Sequence, residues 1–130
     1  MIENPFGESA PSAEQRNYLV LISASKDNAA LAQKYLKNLQ SLVDRNAAPL
    51  WIDSKGAGVF LSTELVAAEI WNAALDGVNH VEGTATKDLL VVELGADWLA
   101  RKDAKTEHWL KTHIGSPRFI PRERQPRRRY

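Results

Sequence analysis

The chain contains no cysteine. Neither a disulfide framework nor a thiolate-held metal can form. No apolar run approaches the roughly 18 residues that a membrane-crossing helix requires. Residues 1–16 carry acids, Pro5 and Pro11 but no apolar stretch, so they do not read as a secretory signal. A cytoplasmic location is expected. Charge of one sign is also scarce overall, with a formal net charge of +1. That balance conceals an asymmetry. Residues 115–130 hold six arginines and one acid, Glu123, which gives +5. The remaining residues hold 11 basic and 15 acidic side chains, which gives −4. A mildly acidic body thus carries a strongly basic tail, and a partner for that tail would be negative.

What is present is ordinary for a globular chain: 44% hydrophobic and 25% charged residues over a length of 130. That length suits one domain with a real core. We expect a flexible arm over 1–17, a folded domain over 18–114 and a basic tail over 115–130. Leu89 to Leu94 has apolar residues at every position but Glu93, with a polar pair before it and Gly95 after it. It reads as a short buried strand. Tyr18 to Ile22 is a second such run. Between them, Leu31, Tyr35, Leu39 and Leu42 recur at helical spacing, with Leu36 and Val43 beside them. This predicts an amphipathic helix from about Asn28 to Arg45, capped by Ser25 or Asp27. Pro49 follows its end. Leu50–Ile52 and Val59–Leu61 read as two strands joined by turn chemistry over Asp53–Gly56. Ser62 or Thr63 is placed to cap a second helix, Glu64 lies in its first turn, and Gly77 is placed to end it. Asp103 is placed to cap a last helix running to about Ile114.

The order β-α-β-β-α-β predicts a ferredoxin-like α+β sandwich, with an antiparallel sheet, two helices on one face, and an extra C-terminal helix and tail. In that arrangement the Leu89 strand lies at a sheet edge beside the Tyr18 strand. Both strands are apolar on both faces, yet the two helices cover only one. The other face needs a cover, because large apolar patches are uncommon on monomers. The last helix and a second copy of the chain are the two candidates, and a homodimer is expected.

Three segments carry a family resemblance: Tyr18-Leu-Val-Leu-Ile-Ser23, Val59-Phe-Leu-Ser-Thr63, and Asp88-Leu-Leu-Val-Val-Glu-Leu-Gly-Ala-Asp97-Trp98. Over roughly residues 18 to 100 the chain resembles the SinR-like ferredoxin-fold family. More distantly it is similar to the smaller CRISPR adaptation protein and its toxin relatives. In that CRISPR family an Asp ends the first strand and, from two subunits, holds a metal for RNA cleavage. The matching place here is Ser23–Ala24, which offers no carboxylate, and Asp27 comes later. The departure argues against family-type cleavage.

Candidate chemistry is sparse. Glu93, Asp97 and Asp103 follow one another after the last strand, and carboxylates can hold a hard cation. Capping and rim positions explain them more simply. His108 and His113 are five apart, which is not the shared-face spacing of helical ligands, and His80 is distant. Ser23 and Ser25 have no nucleophile-elbow context. Gly56-Ala57-Gly58 precedes a strand instead of opening a helix, so it reads as a hairpin turn, not a phosphate loop. Trp51, Trp71, Trp98 and Trp109 suit packing better than base stacking. Arg118, Arg122, Arg124, Arg127, Arg128 and Arg129 form the candidate nucleic-acid-binding set. No catalytic residue, metal ligand or cofactor is expected. The expected function is a small, homodimeric, non-catalytic interaction module that binds a protein partner, of an immunity or antitoxin-like kind. The alternatives are nucleic-acid binding through the arginine-rich tail and, behind it, a metal-dependent nuclease.

Overall fold

The apolar run from Tyr18 to Ile22 is continuous in sequence, and the fold buries every second residue of it. Arg16–Ser23 forms β1, with Tyr18, Val20 and Ile22 buried. Ala29–Leu42 forms α1, which buries Leu31, Tyr35 and Leu39 at helical spacing. Ala48–Asp53 and Gly56–Thr63 form β2 and β3. Ala67–Ala74 forms α2, with Ile70 and Ala74 buried. Leu89–Leu94 forms β4. Lys105–His113 forms α3, and a single 3-10 turn spans Arg122–Arg124. This computed structural model describes residues 14–23, 29–53, 55–79 and 88–125. Residues 1–94 and 95–130 form two compact units.

The first unit is α+β. Its sheet has four strands in the order β2-β3-β1-β4, and each neighbouring pair is antiparallel. Both helices contribute to one core with Tyr18, Val20, Ile22, Val59, Leu61 and Leu89. This order and packing are compatible with a ferredoxin-like arrangement. The side chains of a strand alternate between faces. Val91 therefore joins Leu89 against the core, while Leu90 and Val92 stand on the opposite face. The two-sided apolar character read from β4 is present in the fold.

Several local expectations change. The first strand begins at Arg16, ahead of the expected Tyr18, and residues 1–13 of the expected arm lie outside the described residues. The first helix is shorter than Asn28–Arg45, and Leu42 is exposed. Ser25 and Asp27, proposed as its caps, lie outside the described residues. The second helix does not start at Ser62 or Thr63. Its N-cap is Val66, whose N–H donates to Glu69 Oε1 at 3.0 Å, while Thr63 Oγ1 accepts from Leu65 N–H. The third helix is not capped by the Asp103 side chain. Asp103 adopts a left-handed φ of 65°, and its own N–H donates to Glu107 Oε1 at 2.9 Å. In both helices a glutamate one turn in accepts from a backbone N–H at or just before the N-cap, the reciprocal half of a capping box. Gly56, Ala57 and Gly58 belong to β3 rather than to a turn. The turn is closed by Asp53, whose Oδ1 accepts from the N–H groups of Lys55 and Gly56. Gly56 has to be glycine, because a Cβ there would lie 2.5 Å from the Ile22 carbonyl oxygen. Gly77 takes φ 71° just past α2, the left-handed stop that its position predicts.

The end of α1 is tied to the sheet by Asp44. Its Oδ1 accepts from Asn46 N–H and its Oδ2 from Ser62 N–H, both at 2.9 Å. Lys34 and Asn38 tie α1 to the other helix, donating to the Gly77, Ala74 and Asp76 carbonyls.

In the second unit, Trp98 Nε1 donates to the Gly115 carbonyl at 3.1 Å. The His113 ring stacks on Trp109 with centroids 3.9 Å apart. Among the described residues, no helix is long and apolar enough to cross a membrane.

Candidate interaction surface

The register places Leu21 between Gly58 on β3 and Leu90 on β4, and Leu19 between Phe60 and Val92. Trp51 pairs with Gly58 and so joins the same face. Apolar residues thus run across all four strands on the side away from the helices. Phe60 is buried, but Leu21 is 41% exposed, Trp51 61%, Leu90 49% and Val92 40%. A groove of about 510 Å³ opens on this face, lined by Leu19, Leu21, Trp51, Gly58 and Leu90. Gly58 is buried there, and a Cβ on it would sit 3.1 Å from Trp51 Cβ and 3.5 Å from the Leu19 and Leu21 side chains. Asp53, Lys55 and Asp88 stand at its rim. The groove can hold an apolar or aromatic group against Trp51 and Leu90, flanked by charge of both signs.

The sequence points to the individual strands of this surface but not to the groove. Trp51 and Gly58 are far from Leu90 in the chain, and only strand order brings them together. No spacing in the sequence links Asp53 and Asp88. The Ser23 N–H donates to the Asp88 carbonyl at 2.9 Å, which puts that carboxylate-bearing residue directly across from the end of β1.

Of the arginine set, Arg118, Arg122 and Arg124 are exposed, with Arg122 and Arg124 on the 3-10 turn around Glu123. Arg127, Arg128 and Arg129 lie outside the described residues. Among the described residues, no three His, Asp or Glu side chains are grouped as metal ligands. His113 Nδ1 lies 2.9 Å from the Trp109 carbonyl, a bond within its own helix. His80 lies outside the described residues. A second, polar cavity of about 440 Å³ includes Asp44, Ser62, Thr63 and Glu64. Asp44 spends both oxygens there on backbone N–H groups, which is a structural role.

No family model matches the chain, and no curated protein or solved structure is significantly similar to it.

Proposed function

We propose that this chain is a homodimeric interaction module of ferredoxin-like fold that binds a protein partner through the outer face of its sheet. One observation supports the reading above others: Leu21, Trp51, Leu90 and Val92 stand together and exposed on a face that the two helices do not cover. Burying such side chains against a partner gains about 25 cal/mol per Å² of apolar surface removed from water. Trp51 has the size and partial exposure of an interface anchor, since tryptophan is enriched where binding energy concentrates.

The test has two parts. Sedimentation equilibrium of the full chain at tens of micromolar, about the usual range for modest affinities, should give twice the chain mass of 14.5 kDa. Immobilised chain should then retain a protein from the source cell that a Leu21→Lys chain does not retain. Leu21 is half-exposed, so the substitution leaves the core intact. A monomer, or equal retention by the two chains, removes the corresponding half of the proposal.

A further inference from the structure

The two edges of the sheet are not alike. At the β2 edge, Pro49 has no N–H, and the register breaks between Pro49 and Trp51. A proline and a bulge both blunt an edge against further pairing. At the other edge, β4 is a six-residue strand, Leu-Leu-Val-Val-Glu-Leu, with neither proline nor glycine and no register shift.

Which backbone groups β4 presents follows from one hydrogen bond. Ser23 N–H donates to the Asp88 carbonyl, so Ser23 and Asp88 are a hydrogen-bonded pair. In an antiparallel ladder such pairs alternate with pairs whose N–H and C=O groups point away from each other. Leu90, Val92 and Leu94 therefore bond inward to β1. Leu89, Val91 and Glu93 direct their N–H and C=O groups outward, and no described residue bonds to them. This outward set is symmetric about Val91.

From this symmetry we infer that a second copy of the chain pairs antiparallel along β4, with the two-fold axis at Val91. The inference rests on the homodimer reading and names the surface that makes the dimer. Val91 faces Val91 of the partner subunit, and Leu89 faces Glu93 of the partner subunit. This symmetric register uses every outward group. Moving the axis to Leu90 or Val92 leaves one end of the strand unpaired. The chosen register also keeps the two Glu93 carboxylates at opposite ends of the ladder, about 13 Å apart along the strand, so no like charges meet. On the outer face it sets Leu90 against Val92 of the partner subunit, in a pair without direct hydrogen bonds, where Cα atoms come within about 4.5 Å. The two exposed apolar faces then become one continuous surface over an eight-stranded sheet. The second copy fits better than an unrelated strand because this edge is complementary to itself, while the β2 edge is closed to head-to-tail growth.

The absence of native cysteine makes the test clean. Leu90→Cys and Val92→Cys chains, one carrying a size tag, are mixed and oxidised. The proposed register puts the two thiols within disulfide range, which requires Cα atoms about 4.4–6.8 Å apart. Two Leu90→Cys chains, or two Val92→Cys chains, lie on a diagonal of about 8 Å. The expected result is a cross-linked pair of unequal chains, several-fold more abundant than either equal pair. Glu93→Pro removes only an outward N–H, and it should weaken the dimer at least about tenfold, since symmetry removes that donor from both copies. Glu93→Ala should leave the dimer unchanged. A protein that sediments as a dimer yet gives no preferred unequal cross-link, or keeps its affinity with Glu93→Pro, overturns the edge pairing and leaves the homodimer reading standing. A monomer at tens of micromolar overturns both.

Discussion

Replacing Asp44 tests the account of how α1 is joined to the sheet. Ser62 lies on β3 two residues beyond the last β2 pair, Ala48 with Phe60. By ladder alternation its N–H points to the side where β2 has already ended. The Asp44 carboxylate stands in that place and accepts at 2.9 Å in a part-buried setting. A hydrogen bond to a charged acceptor is worth about 1.5–3 kcal/mol net. The second bond, from Asn46 N–H, is exposed and adds less than about 1 kcal/mol. Asp44→Ala should therefore destabilise the protein by about 2–3 kcal/mol, with Ser62 N–H left lacking this acceptor. Asp44→Asn retains one acceptor oxygen but turns an amide NH2 toward one of the two donors, so it should cost about 1–2 kcal/mol. Urea titration followed by tryptophan fluorescence and far-UV circular dichroism reads both values, and the slope against urea should not change. An Asp44→Ala chain within about 0.5 kcal/mol of the parent, the range of an ordinary surface substitution, would refute the reasoning.

Gly56→Ala should cost about 2 kcal/mol or more, because the added Cβ lies 2.5 Å from a backbone oxygen that can move only with β1; thermal unfolding checks it, and an unchanged midpoint contradicts the close approach. Leu39→Ala removes a side chain of zero exposure from the centre of the helix–sheet core and should cost about 2–5 kcal/mol by urea titration. Any binding of duplex DNA should reside in the arginines and weaken steeply with salt, with a log–log slope no steeper than about −5 for six cations. Fluorescence anisotropy at two salt concentrations checks this, and replacing Arg118, Arg122 and Arg124 by Gln should flatten the slope by about half. Equal slopes for parent and variant would move the binding away from the tail.

Much of the architecture was legible in local pattern. The unbroken apolar run Tyr18–Ile22 marks a strand but not its buried side, whereas the helical spacing of Leu31, Tyr35 and Leu39 records which side of α1 meets the core. That signal survives in one dimension because strand and helix periods differ. Gly77 was legible for a similar reason, since the end of a helix asks for a residue that tolerates positive φ. Helix starts were less legible. Ser62, Thr63 and Asp103 are good capping residues by type, but Glu69 and Glu107 reach back to the N–H groups of Val66 and Asp103.

The candidate surface required the tertiary structure. Trp51, Gly58, Leu21 and Leu90 carry no shared spacing, and strand order alone makes them neighbours. The same holds for Asp44, whose role exists only because β2 stops short of Ser62. The sequence by itself determined that β1 and β4 are apolar on both faces. Tertiary structure decided that the two helices stay on one side, that Pro49 closes one edge, and that β4 lies at the other. The physical reason is that burial preference is a property of each residue, whereas pairing is a property of two segments whose meeting no local pattern encodes.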